Sequence, residues 1–369
     1  MQDIQNTKTM KIVYLIEDFA IKGGAERMIS EKANTFTAVK GHDVTIVSIF
    51  SDSRPPAYPL NGVSFVSLGV PFAATDCSLL AKTMSRLRVL TSAAVRFNRL
   101  MSELRPDVIF FTLPMGALLL PLYRGNAKRV YESHSARQFT PYHSLFAPME
   151  LMADTVVCIT EQDARQYARA RNKRVIPNFI NTPGHTAEDY GAKRALVAGR
   201  LEHPKGFDIL IRCWKEIDKA HPDWRLDIYG EGSLRESLQQ QIDQLGLSGK
   251  IRLCGRTEDM MQTYPRYSLM LATSRFEGFS LVLAEAQACG LPAVTFDFKY
   301  GAREIVADGI TGTIVPQDDM QGFARATIDM MASEDKRRSY GEEAARRTMR
   351  FSRDRVMEEW YRLLDDLSR

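Results

Sequence analysis

Two cations stand close together in Gly199-Arg200-Leu201-Glu202-His203-Pro204-Lys205-Gly206. The leading glycine lets the chain turn, an arginine can fork across two phosphate oxygens, and a lysine adds a point charge. Such a loop can embrace a diphosphate from two sides. Alone, the same residues are equally well a solvated basic loop. A second stretch, Glu277-Gly278-Phe279-Ser280-Leu281-Val282-Leu283-Ala284-Glu285, sets one acid before an expected helix and one inside it. Gly278 permits an unusual turn, and a helix starting at Phe279 or Ser280 offers N–H groups to a phosphate. Glu285 lies about a turn and a half in, leaning back toward the N-terminus, where it can accept hydrogen bonds from ribose hydroxyls. Two carboxylates beside a phosphate repel it unless each takes a hydroxyl donor and cations balance the charge, which Arg200 and Lys205 supply.

Most glutamates are solvated helix-surface acids, and each of these two has that reading as well. Glu285, however, is flanked by Leu281, Val282, Leu283, Ala284, Ala286 and Ala288. It interrupts a helix that is nearly apolar all round, and a buried charge needs a partner.

Loops of this kind are held by strands. Short apolar, β-branched runs alternate with helical patterns along the whole chain, which predicts an α/β protein of parallel sheets covered by helices on both faces. Strands are expected at 11–16, 43–49, 63–68, 107–112, 128–132 and 155–159, and again at 194–198, 225–229, 250–253, 269–273 and 293–296. Each half opens alike, with a strand, a glycine-containing basic loop (Lys22-Gly23-Gly24 or Gly199-Arg200 to Lys205-Gly206) and a helix. The stretch 178–191 has no regular periodicity and marks the join. Two Rossmann-like, doubly wound domains facing a central cleft follow, at 1–182 and 183–350. An amphipathic helix at 351–369 is expected to cross back to the first domain. Ligands of such sheets bind beyond the carboxyl ends of the strands.

Composition narrows the function. The 369 residues exceed what one core usually serves, and 44% hydrophobic with 25% charged content is that of an ordinary globular chain. Cys77, Cys158, Cys213, Cys254 and Cys289 read as buried free thiols in a reducing compartment. The six histidines are isolated from one another and from the thiols, so no metal is expected. A net charge of +4 does not argue for nucleic acid. Residues 1–10 lack a secretory signal and no apolar run reaches membrane-spanning length, so a cytoplasmic protein is expected. A nucleotide-dependent dehydrogenase lacks support because no Gly-x-Gly-x-x-Gly follows the first strand.

The acidic pair spaced as in Glu277 and Glu285, the Gly-Arg-Leu-x3-Lys-Gly loop, Tyr229-Gly-Glu-Gly232, Gly255-Arg256 and Gly301-Ala-Arg-Glu304 through Gly312 together resemble a family 4 retaining glycosyltransferase of the GT-B fold. Gly23-Gly24-Ala25-Glu26-Arg27 and Ile176-Pro-Asn178 extend the resemblance over the whole chain. It is nearest in look to bacterial enzymes that extend undecaprenyl-diphosphate-linked or surface polysaccharide glycans. The resemblance implies a hexose or N-acetylhexosamine moved from a nucleotide diphosphate sugar, UDP-linked, to a glycan acceptor, with no metal and no cofactor beyond that co-substrate. It places Arg200 and Lys205 on the donor phosphates, Glu277 on the sugar hydroxyls and Glu285 on the ribose. The amides of Gly278, Phe279 and Ser280 join the phosphate grip, Arg256 lies near the base, and Gly23 and Gly24 let the first loop approach the diphosphate. His134 is the counterpart of a histidine that approaches the transferring sugar; a lone histidine after a strand is also commonly structural. Glu132 is a weaker candidate for the same surface, and Glu161 reads as part of a helix start. A non-enzymatic sugar-nucleotide sensor or scaffold of the same fold is the alternative, and the intact Arg/Lys/Glu/Glu set speaks against it.

The segment from Ser78 to Arg105 carries Lys82, Arg86, Arg88, Arg96, Arg99 and Arg105 among Leu79, Leu80, Leu87, Leu90, Val95, Phe97 and Leu100. A basic, leucine-rich helix of this kind can lie on an anionic membrane or can simply turn its leucines toward the sheet. With a lipid-linked acceptor, the first reading gives a peripheral protein at the cytoplasmic face of the inner membrane.

Overall fold

The computed structural model describes residues 9–50, 54–72, 78–257 and 259–369. They fall into two compact units. The first comprises the chain up to Pro177 together with Met357–Arg369, and the second is Asn178–Val356.

The first unit is built on a seven-stranded sheet in the order β3-β2-β1-β4-β5-β6-β7. Its strands are β1 (Lys11–Ile16), β2 (Asp43–Phe50), β3 (Ser64–Val70), β4 (Val108–Thr112), β5 (Lys128–Glu132), β6 (Thr155–Cys158) and β7 (Lys173–Val175). Every neighbouring pair is parallel. Central strands covered on both faces are apolar throughout rather than alternating, and all five residues of β4 are buried. Helices Gly24–Lys40 and Leu79–Leu104 belong to this unit. Val89, Ala93, Phe97 and Met101 turn one face of the second helix into the core.

The second unit repeats the plan with a six-stranded parallel sheet, β10-β9-β8-β11-β12-β13. The strands are β8 (Arg194–Ala198), β9 (Arg225–Tyr229), β10 (Ile251–Gly255), β11 (Leu269–Ala272), β12 (Ala293–Phe296) and β13 (Gly312–Val315). Its core includes the fully buried Trp214 and Trp224. In both sheets the order reverses beside the first strand, between β1 and β4 and between β8 and β11. In sheets of this kind, ligands bind where the loops leaving those strands diverge.

Two short edge strands, β7 and β13, lie outside the expected set. The three residues of β7 begin with two exposed cations, and β13 begins at a glycine, so neither has an apolar run to announce it. The division falls at Pro177/Asn178 instead of after Thr182, because Ile180 pairs with Ser352 and its amide donates to the Phe351 carbonyl, 2.8 Å away, within the second unit. The last helix, Arg353–Ser368, passes from the second unit into the first at Met357. In the first unit its Trp360 packs edge-on against Phe110 at 5.8 Å. Of the cysteines, Cys158, Cys213 and Cys289 are buried and free, Cys254 is free but half-buried, and Cys77 lies outside the described residues. Among the described residues no helix is long and apolar enough to cross a membrane.

Candidate active site

Backbone contacts fix the Arg200–Lys205 loop before any side chain acts. The amides of Gly199 and Leu201 each donate at 2.9 Å to the carbonyls of Tyr229, which ends β9, and of Glu231 in the loop after it. The fit is so close that a Cβ on Gly230 (φ +141) would stand 1.8 Å from the Gly199 carbonyl oxygen. Glu202 reinforces it by accepting from the Ser233 amide and hydroxyl at 2.9 and 2.8 Å. Arg200 is thus pinned by its neighbours. Its side chain is exposed, with no hydrogen bond or ion pair among the described residues.

Lys205 closes a 3-10 turn, His203–Lys205, and Gly206 (φ +67) hands the chain to the helix Phe207–Ala220. Only glycine fits there, since a Cβ would lie 2.0 Å from the Thr273 carbonyl oxygen. Arg275 staples the same corner from the β11 side. Its guanidinium takes both oxygens of Asp208 at 2.9 and 2.8 Å and the His203 carbonyl at 2.8 Å. Burial pushes the Asp208 carboxyl up, but the Arg275 hydrogen bonds and charge outweigh it and hold the group below its usual range.

The loops leaving β8 and β11 meet at their reversal point through Lys205 and Glu277, Nζ to Oε1 2.6 Å, with side chains 18% and 11% exposed. The same oxygen accepts from Ser274 and Ser280 at 2.9 and 3.2 Å. One carboxylate oxygen is thereby fixed by three donors, which aims the carboxylate rigidly. The helix that follows, Leu281–Ala288, has Ser280 at its N-cap without a side-chain cap, so it starts slightly later than expected. Gly278 sits at a bend, while Phe279 is buried against Phe351 at 5.4 Å and offers only its backbone. Glu285 is 5% exposed and accepts from the buried Tyr264 hydroxyl at 3.3 Å. Arg256 is exposed just after β10.

In the first unit, Gly23 is the extended N-cap of the helix Gly24–Lys40, and its carbonyl accepts from Tyr58 at 3.1 Å. His134 follows β5, and its side chain is only 2% exposed. Glu132, expected at the same surface, is instead buried, paired with Lys32 and 3.1 Å from His134 Nε2. Glu161 opens the short helix Glu161–Ala164, whose cap is Thr160. Among the described residues no three His, Cys, Asp or Glu side chains gather as a metal site would require.

Sequence reasoning missed Ser274, Arg275, Tyr264 and Lys32. Tyr264 and Arg275 act through partners distant in sequence, whereas Ser274 bonds Glu277 within its own loop. Lys32 did carry a signal, because it shares a helix face with Ile29, Ala33 and Phe36, and a charge on an apolar face needs a buried partner.

Two doubly wound parallel sheets, with the charged loops at the reversal point of the second, define the GT-B class of glycosyltransferase fold. The model of glycosyl transferases group 1 matches residues 181–347, and that of glycosyltransferase family 4 matches residues 22–183. The chain belongs to this family. It is 28% identical over 97% of its length to an exopolysaccharide phosphotransferase of Streptomyces coelicolor, of which it spans only 41%. It is 27% identical over 96% of its length to the amylovoran biosynthesis glycosyltransferase of Erwinia amylovora, spanning 99% of that protein. The fold matches that of the Anabaena protein HepE in complex with UDP and glucose at a TM-score of 0.74, with 19% identity and coverage of 97% and 100% of the two chains.

Proposed function

We propose that the chain moves a hexose or N-acetylhexosamine from a UDP-sugar to a hydroxyl of a lipid-linked glycan in bacterial surface polysaccharide assembly, with retention and without a metal. The observation that carries this reading is the Lys205–Glu277 pair at the β8/β11 reversal point, beside an Arg200 whose guanidinium is uncommitted. An ammonium has three donors; one holds Glu277, and two remain for phosphate oxygens. Glu277 has one oxygen fixed by three donors, and its carboxylate is aimed to accept sugar hydroxyls. As the anomeric C–O bond breaks, its electron pair goes to the departing diphosphate, where Arg200, Lys205 and the amides before Leu281 stabilise the growing charge. The acceptor oxygen bonds to the same face of the anomeric carbon, and its proton passes to the leaving phosphate. Similarity to the amylovoran enzyme supports a polysaccharide product, and the UDP-bound neighbour supports the base.

Attachment to the cytoplasmic face of the membrane belongs to this reading. The helix Leu79–Leu104 exposes Met84, Leu87 and Val95 together with Arg86, Arg88 and Arg99. Phe97 faces the core, and Arg96 is tied to the Leu68 and Gly69 carbonyls at 2.8 and 2.7 Å, so these two serve the fold. The side chains of Leu79 and Leu80 lie outside the described residues. A transfer assay with UDP-, GDP- and ADP-sugars on lipid-linked and soluble glycans tests the proposal. Transfer from a UDP-hexose in the presence of chelator, with an α-configured product from an α-configured donor, is expected. Binding without transfer from any donor would leave a sensor.

A further inference from the structure

The two faces of the first sheet are covered differently. Leu15, Phe111, Tyr131 and Cys158 share one core with the helix Leu79–Leu104, with Leu120 and Phe146, and with Tyr167. The opposite face carries Tyr14 and Phe110 and is covered by Gly24–Lys40 and Arg353–Ser368, through Phe36, Tyr361 and Trp360. Among the described residues the first unit exposes thirteen large hydrophobic side chains, against two, Ile310 and Met349, in the second. Nine of the thirteen lie on the segments 79–104, 113–122, 137–152 and 161–171, which together cover the first face; the helices of the other face contribute only Val39. Single exposed apolar side chains are ordinary, but a set gathered on one face marks a docking surface. The same four segments expose Arg86, Arg88, Arg99, Arg165, Arg169 and Arg171 and, among their described side chains, just two carboxylates, Glu103 and Glu161. The last helix alone exposes Glu358, Glu359 and Asp366.

The middle of this layer is an arch held at both ends. Arg137 fixes its start by donating to the Gln166 carbonyl at 2.7 Å, and the buried Phe146 fixes its end, edge-on to Tyr131 at 6.0 Å. At the tip Tyr142 has φ +63, a costly backbone for an aromatic residue, and its carbonyl takes the Leu145 amide at 2.8 Å. The Arg86 guanidinium of the helix Leu79–Leu104 lies over the Tyr142 ring at 5.8 Å. Arch and helix thus make one surface, from which Phe139, Tyr142 and Leu145 stand out.

We propose that the whole layer, and not the helix Leu79–Leu104 alone, docks on an anionic lipid bilayer. The sheet lies parallel to the membrane, Tyr142, Leu145 and Leu151 enter the headgroup boundary, and Arg165, Arg169 and Arg171 meet lipid phosphates at the far end of the layer. This face extends the attachment proposed above, on which it rests, from one helix to four segments. Cations match the phosphates, while tyrosine and leucine gain from the boundary between headgroups and acyl chains. Both kinds of side chain are spread over the breadth of the sheet, which suits a continuous anionic surface better than a single acidic peptide.

Binding of the full chain to vesicles of phosphatidylglycerol and phosphatidylcholine tests this with substitutions outside the helix Leu79–Leu104. Arg169→Gln/Arg171→Gln is expected to weaken binding at low salt by about tenfold with the melting temperature unchanged. Trp214, Trp224 and Trp360 are buried, so the indole introduced by Leu145→Trp reports on the arch. Its emission should shift to the blue on binding and be quenched by lipids with brominated acyl chains. If the double arginine variant binds as the wild type does, or the Leu145→Trp emission stays where it was, the wider face is overturned. Loss of binding when Arg86, Arg88 and Arg99 are changed together to Gln would then leave the attachment to the helix alone. A wild type that ignores the anionic vesicles overturns the attachment and the wider face together, and equal binding to pure phosphatidylcholine overturns the anionic partner.

Discussion

Each unit places a lysine–glutamate pair near the carboxyl ends of its strands, yet the two pairs differ in what they can exchange. Lys205 and Glu277 are partly open to solvent and are flanked by serines, so a ligand can add to the pair at small desolvation cost. Lys32 and Glu132 are closed in by Tyr14 and Trp360. Burial pushes the Glu132 carboxyl up, but Lys32 and His134 outweigh it and hold the group at about 2; in Lys32 burial outweighs the pull of Glu132, and the amine is lowered. The open pair can trade partners during a reaction, whereas the closed pair can only hold a geometry. Identical chemistry thus does different work according to depth.

The largest effect that would break this contrast concerns the closed pair. Removing one partner strands the other charge in the interior, so Glu132→Leu is expected to cost about 3–5 kcal/mol of stability in denaturant titrations. Lys32→Met/Glu132→Leu should recover most of that loss, and a double variant as damaged as the single one would show that the pair does not act as a unit. The same pair sets an acid limit. Because the folded carboxyl is held below the unfolded value of 4.5, its contribution is complete above that pH and drains away as the pH falls toward about 2. The double variant should therefore lose less stability than the wild type over this range.

The open pair predicts a kinetic effect instead. Lys205→Ala and Glu277→Gln should each lower turnover about tenfold or more, about 1.4 kcal/mol of transition-state stabilisation, with the melting temperature nearly unchanged. Wild-type rates in both would return these residues to a structural role. The smallest effect is at the surface. Arg86, Arg88 and Arg99 changed together to Gln should weaken sedimentation with anionic liposomes at low salt and leave folding intact. A protein that stays in the supernatant before any substitution would remove the membrane assignment.

Much of this architecture was legible because buried parallel strands are short, apolar and bounded by glycine. The expected 11–16, 128–132, 194–198, 225–229 and 293–296 coincide with β1, β5, β8, β9 and β12. Edge strands such as β7 and β13 gain their structure from a neighbour rather than from an apolar run, and so they escaped notice. The site shows the same division. Glu285 was singled out as a charge on an apolar helix and is indeed buried, with Tyr264 as a partner that no local pattern reveals. The same rule applies to Lys32, a cation on the buried face of its helix. Arg275 could not be read from sequence, because its partners His203 and Asp208 are brought to it only by the fold.

Membership of the last helix has a consequence for the order of assembly. Residues of the second unit are contiguous, so its core can close as soon as they have left the ribosome. The first unit is made first but completed last, because Met357–Arg369, with Trp360 as the lid over Lys32, appears only after the whole of Asn178–Val356. At 5–20 residues per second that delay is roughly ten to forty seconds. Throughout it Lys32 waits without the aromatic face that will seal it. Until residues 357–369 have been made, Phe110 and Lys32 of the nascent first unit lack the Trp360 ring that covers them in the finished fold.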